Sequence, residues 1–191
     1  MGAVDSKESF FDAGLDVLSD DGYGGLKLAA VCHRLGVTTG SFYHYFDSWS
    51  DYTQQLVEHW HEGMTTKVVA AVGAEPDPRK RIDSLIEVGL TLPHGAEAAI
   101  RVWSSVDPRV HEVQAAVDRE RFASVYECAL EILRNERQAQ LFASWAVYLL
   151  VGYEQVTLPP DTDGLAWIVA QLLDALDSGR FGSAPAVPDG E

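Results

Sequence analysis

Residues Gly25 to Phe46 read GLKLAAVCHRLGVTTGSFYHYF, and this stretch decides the fold. Leu28, Val31, Cys32 and Leu35 fall three and four apart, lining one face of a short helix. Gly36 is placed to take the left-handed conformation that stops a helix, and the small Cys32 lets a second helix cross closely. Val37 plugs the corner, and Thr38 offers a hydroxyl to cap the next helix, which is short and aromatic. Two short helices about a tight turn make a helix-turn-helix, which lays its second helix in the DNA major groove with early residues on base edges.

The aromatic ending narrows the choice. Val31-Cys32, Gly36-Val37-Thr38 and Phe42-Tyr43-His44-Tyr45-Phe46 stand where the tetracycline-repressor-like (TetR) family shows Ile-Ala, Gly-Val-Ser/Thr and Leu/Phe-Tyr-x-His/Tyr-Phe. The first quarter of the chain resembles that family, and the rest agrees in length and helical pattern. The resemblance implies a DNA-binding transcriptional regulator, a repressor released from a double-stranded operator by a small-molecule effector. It assigns DNA contact to Thr38, Thr39, Ser41, Tyr43, His44 and Tyr45, with Lys27 on a phosphate. The residue types allow it, since hydroxyls reach bases or phosphates and tyrosine meets a phosphate or a thymine methyl. Phe42 and Phe46, four apart, belong to the core of the head, and Tyr43 and Tyr45 are each candidates to join them. Asp47 and Trp49 stand where family members often carry lysines, and Ala29 replaces a longer polar residue.

At 191 residues the chain can bury one good core, or a small domain and a larger one sharing a helix. Its 47% hydrophobic and 23% charged residues are those of a globular protein, and a mean hydropathy of −0.06 argues against membrane residence. The longest nearly apolar run, Leu141 to Tyr153, is too short to span a bilayer, and the start MGAVDSKESFFDAG has no basic leader region. A cytoplasmic protein without a membrane partner is expected. Cys32 and Cys128 lie in helical patterns among apolar neighbours and read as reduced core residues.

A formal net charge of −15 works against nucleic-acid binding, because phosphate neutralisation supplies most non-specific affinity. Within residues 1–60 only Lys7, Lys27 and Arg34 oppose a larger set of carboxylates. Asp12, Asp16 and Asp20 are four apart on the solvent face of the first helix, and Asp51 lies in the first turn of another, where the helix dipole favours it. Asp47 has no such role. The acidic head keeps a second reading open: a helical, dimeric ligand-sensing or interaction protein with weak or no DNA binding.

Along the chain, the first helix is expected from Ser6 to Asp20, ending at Gly22, with Tyr23 packing under the helix-turn-helix. Ser48 caps a long helix that keeps one apolar face to Val72, and GAEPDP breaks the pattern. Helices then follow over Pro78 to Leu92, Ala96 to Ser105, Pro108 to Asn135, Gln138 to Val156 and Leu165 to Leu176. The expected fold is all-α, with residues 1–47 as the head, 48–178 as a ligand-binding and dimerisation body, and 179–191 as a disordered tail.

The Gln138 helix is apolar on nearly every side and so should be buried all round. Together with the last helix it offers more apolar surface than one small domain needs, which agrees with the two-fold dimer the resemblance implies. Trp60, Met64, Trp103, Tyr126, Trp145 and Tyr148 are candidates for an aromatic effector pocket, with His94, His111 or Glu154 as polar anchors. Each aromatic competes with an ordinary core role. Gly-x-Ser-x-Gly, phosphate-loop and His-Glu-x-x-His patterns are absent from the sequence, and no cofactor or metal is expected. His59 and His61, two apart beside Glu58 and Glu62, point to different faces of a helix.

Overall fold

The computed structural model describes residues 6–183, and every regular element among them is helical. The chain divides into two compact units: residues 6–64 with 93–117, and residues 65–92 with 118–183.

The first unit begins with α1 (Lys7–Gly25), whose N-terminus is closed by the Ser6 hydroxyl accepting from the Ser9 N–H at 3.4 Å. Phe10, Phe11, Val17 and Leu18 lie on its buried face. Gly22, at φ 66°, breaks the helical path where the sequence predicts a stop. Then come α2 (Leu28–Leu35), α3 (Thr39–Phe42) and α4 (Trp49–His61). Ser48 caps α4 by accepting from the Asp51 N–H at 3.0 Å, while the Asp51 carboxylate accepts in return from the Asp47 N–H at 3.2 Å. That reciprocal pair fixes the chain entering α4.

The sequence assigns everything after residue 47 to the body, yet α4 and α7 (His94–Ser104) share the core of the head. Ala96, Ala99, Ile100 and Trp103 of α7 join Phe10, Leu18, Leu56 and Trp60 in one cluster. A Cβ at Gly95 would come 2.8 Å from the Ser19 carbonyl oxygen, so α7 lies tight against α1. Three short helices alone bury little, and α7 supplies the missing wall. Val110 and Val117, in the first half of α8 (Pro108–Leu133), complete it.

The long helix predicted from Ser48 to Val72 is instead α4, a π-helical turn at Glu62–Thr66 and α5 (Lys67–Gly73). The second unit contains α5, α6 (Pro78–Thr91), the rest of α8, α9 (Glu136–Gln155), α10 (Thr162–Asp177) and a 3₁₀ turn at Arg180–Ser183. Its core is built around Ile82, Ala129, Phe142, Leu172 and Leu176. Arg79 grips both oxygens of Asp177 at 2.8 and 2.9 Å and also holds Asp83. That grip pushes the Asp177 carboxyl below the ordinary carboxylate range.

Two expectations need correction. The tail is not unstructured from residue 179: Phe181 is buried edge-on against Phe142, with ring centres 5.5 Å apart, because an aromatic ring gains more by burial than the turn costs. Residues 184–191 of the predicted tail lie outside the described residues. Nor is α9 buried all round within the chain, since Trp145 and Tyr148 stand exposed on it, as Trp167 and Ile168 do on α10. Cys32 and Cys128 are buried, and burial pushes both thiols up in pKa. Among the described residues no helix is long and apolar enough to cross a membrane.

Candidate nucleic-acid interface and ligand cavity

The candidate interface is built on the turn between α2 and α3. Gly36 adopts φ 67°, which only glycine takes without strain, and Val37 donates its N–H to the Cys32 carbonyl at 3.0 Å. Thr38 then caps α3, its hydroxyl accepting from the Ser41 N–H at 3.3 Å and lying 3.1 Å from the Ser41 hydroxyl. Phe42 and Phe46 are buried, packing on Phe10 with ring centres 5.7 and 5.6 Å apart. With that side committed to the core, Thr39, Gly40, Tyr43 and His44 are left on the solvent side.

The two tyrosines separate. Tyr43 is 54% exposed, whereas Tyr45 is half-buried with its ring 5.3 Å from Phe10. Underneath, Tyr52 of α4 donates its hydroxyl to the Phe10 carbonyl at 2.8 Å, and burial raises the phenol's pKa so that it keeps the proton. A Cβ at Gly14 would come 2.1 Å from the Tyr52 hydroxyl oxygen, so this bond needs glycine on α1. Trp49 is half-buried against Tyr52 and Phe42, at 5.0 and 6.0 Å, which gives it a core role in place of a phosphate contact.

The positive charge of this face is sparse. Lys7 donates to Gln55 at 3.2 Å and lies over the Phe46 ring, and Arg34 pairs with Asp20 at 2.7 Å. Lys27 stands exposed at the start of α2 and is the head's cation, among the described residues, that no side chain engages. Asp47 and Ala29 are both exposed.

A separate cavity of about 100 Å³ lies within the second unit. Its walls are aliphatic: Val68 and Val69 from α5, Leu85, Ile86 and Leu90 from α6, Val125 from α8, Leu149 and Leu150 from α9, and Val169 and Leu172 from α10. Polar side chains enter at Thr65, the last residue but one of the π-helical turn, and at Arg121, whose Nε donates to the Thr65 hydroxyl at 3.2 Å.

None of the six aromatic-pocket candidates lines this cavity. Trp60 is fully buried in the first unit, donating its indole N–H to Glu97, and Met64 packs on the same core. Trp103 stacks on Tyr23 with ring centres 5.2 Å apart, so Tyr23 meets α7. Tyr126 stacks on Phe122, and Trp145 and Tyr148 face outward. Of the proposed anchors, His94 is half-buried, His111 exposed and Glu154 buried on α9, and none reaches the cavity wall. Large rings at helical spacing went to core and surface, as their size makes usual. His59 stacks on Phe11 at 4.8 Å, and among the described residues no group of three potential metal ligands forms.

Thr65 and Arg121 gave no sequence signal as site residues. Gly89 did give one, being an isolated glycine inside a helical pattern. It lies on the cavity wall, and a Cβ there would meet nothing within 4 Å.

The family model for bacterial regulatory proteins of the tetR family matches residues 10–50. The chain is 21% identical over 155 residues to the HTH-type transcriptional regulator BetI of Proteus mirabilis (strain HI4320), covering 76% of each. The fold resembles a TetR transcription regulator from Haloarcula marismortui at a TM-score of 0.73 and 15% identity, over 90% of this chain and 96% of that one. It also resembles a transcriptional regulator from Saccharomonospora viridis in complex with choline, at a TM-score of 0.72 and 14% identity, over 90% and 95%.

Proposed function

We propose, for a chain that is a TetR-like transcriptional regulator, that it acts as a homodimeric repressor whose α3 enters the major groove of its operator until an effector fills the aliphatic cavity. The observation that carries this reading is the division of α3 into a buried aromatic side and a solvent side bearing Thr39, Tyr43 and His44. These three meet the bases and nearby phosphates, Thr38 and Ser41 add hydroxyls at the edge, and Lys27 takes a phosphate. Tyr45 contributes chiefly by holding α3 against Phe10.

Dimerisation uses α9 and α10, where Trp145 and Tyr148 of the one and Trp167 and Ile168 of the other are exposed. Exposed apolar patches of this kind mark association surfaces. A two-fold dimer reads two half-sites only if its recognition helices are about one DNA turn, ~34–36 Å, or a multiple apart. The switch therefore works on that spacing. Thr65 on the cavity wall lies in the π-helical turn that continues directly from α4, and six residues join α4 to α3.

Choline, bound in the Saccharomonospora viridis relative, is a poor guide to the effector here. Quaternary ammonium ions are held by aromatic faces. Among the described residues no ring lines this cavity.

Selection from a randomised duplex pool by the immobilised dimer tests the reading. A two-fold symmetric sequence should be enriched, with half-site centres about 10 base pairs or a multiple apart. A pool left indistinguishable from its starting composition would overturn operator recognition.

A further inference from the structure

We infer that the cavity of the second unit takes a small branched or short-chain aliphatic carboxylate, its hydrocarbon among Ile86, Leu150 and Val169 and its carboxylate on Arg121 beside Thr65. This rests on the cavity being the effector site and names the class of molecule that site accepts.

Size limits the occupant first. About 100 Å³ is less than the volume of an engineered hydrocarbon-lined cavity, ~150 Å³, that holds benzene, so the group inside has roughly four or five carbons. The walls decide its nature. Leucine, isoleucine, valine and alanine side chains offer dispersion and water exclusion but no polar partner along the α6, α9 and α10 sides. A hydroxylated or zwitterionic molecule would lose its hydration there without compensation.

Charge selects the head group. Among the described residues Arg121 is the charged side chain on the wall, and beside it an anionic head group is favoured over a cationic one. A guanidinium is planar and matches the two oxygens of a carboxylate, and its bond from Nε to the Thr65 hydroxyl fixes it on the wall. An ammonium ligand would find a like charge and, among the lining residues, neither carboxylate nor ring. Thr65 is also part of the π-helical turn, so a carboxylate arriving at Arg121 bears on that turn's own side-chain contact.

Titration calorimetry on the full chain tests this with 4-methylpentanoate, with 4-methylpentan-1-ol, which keeps the hydrocarbon without the charge, and with choline. The acid should bind more tightly than the alcohol, and choline least. Arg121→Gln should weaken the acid on the order of tenfold or more while leaving the alcohol unchanged, with Arg121→Lys in between. Ala146→Phe, which fills the cavity, should abolish both. Equal binding of acid and alcohol, or indifference to Arg121→Gln, overturns the carboxylate assignment and leaves the cavity reading intact. Preference for choline overturns it too. Binding that survives Ala146→Phe overturns the cavity itself. If no probe binds, the inference falls, and operator binding by the same unliganded protein decides whether the regulator reading falls with it.

Discussion

The indole N–H of Trp60 donates to the Glu97 carboxylate at 2.9 Å, with both side chains buried between α4 and α7. A charge-bearing acceptor out of water needs such a donor, and the indole cannot leave its own N–H unpaired at that depth. This bond makes α7 part of the head that presents α3.

Trp60→Phe removes the donor and should cost about 1–3 kcal/mol of unfolding free energy through the under-served carboxylate, with the smaller ring adding a packing loss. Glu97→Gln keeps an acceptor for the indole and should cost less. Urea denaturation of the two variants checks the order. Equal stability of Trp60→Phe and parent would remove this bond from the account.

The dimer is best attacked where the single chain does not need the residue. Tyr148 is 73% exposed and Trp167 66%, so Tyr148→Glu and Trp167→Glu should spare the subunit fold while weakening the dimer on the order of tenfold to a hundredfold. Leu149 and Leu172 are less suitable targets, since one lines the cavity and the other is buried in the core. Sedimentation velocity at micromolar concentration reads the result. A parent that sediments as a monomer would contradict the dimer.

The turn that builds the candidate interface was legible because its signals are local. Gly36, the Thr38 cap and the Ser48 cap each act within four residues, and all three occur where the spacing predicts them. Phe42 and Phe46 could be assigned to the core from their separation alone. What stayed hidden depends on distant elements meeting. Glu97 reads as an ordinary surface carboxylate until Trp60 is known to lie over it, and α7 looked like a body helix until α1 was seen to need a wall. The cavity draws aliphatic residues from five helices, each indistinguishable in sequence from core, whereas the conspicuous aromatics went elsewhere. The π-helical turn, EGMTT, contains no proline that would have marked a break in the sequence.

Salt dependence should be shallow. With Lys27 exposed and Lys7 and Arg34 already engaged by neighbouring side chains, roughly one to three phosphates are neutralised per head. The slope of log affinity against log salt is then about −1 to −3 per head, and Lys27→Ala should flatten it by about one. Fluorescence anisotropy across a salt series measures both. A much steeper slope would mean that cations outside this face meet the DNA.

The central claim is that the solvent side of α3 reads the operator. Its most direct test is the affinity of the parent, Thr39→Ala and Tyr43→Ala for the selected operator at one fixed salt concentration, with dimer mass and helicity checked in each. Both residues are exposed and neither supports the core of the head, so the fold should survive each change. Each should weaken specific binding by about 1–3 kcal/mol, roughly five- to 150-fold, while binding to random duplex changes little. If both variants bind the operator as tightly as the parent does, α3 is not the reading element.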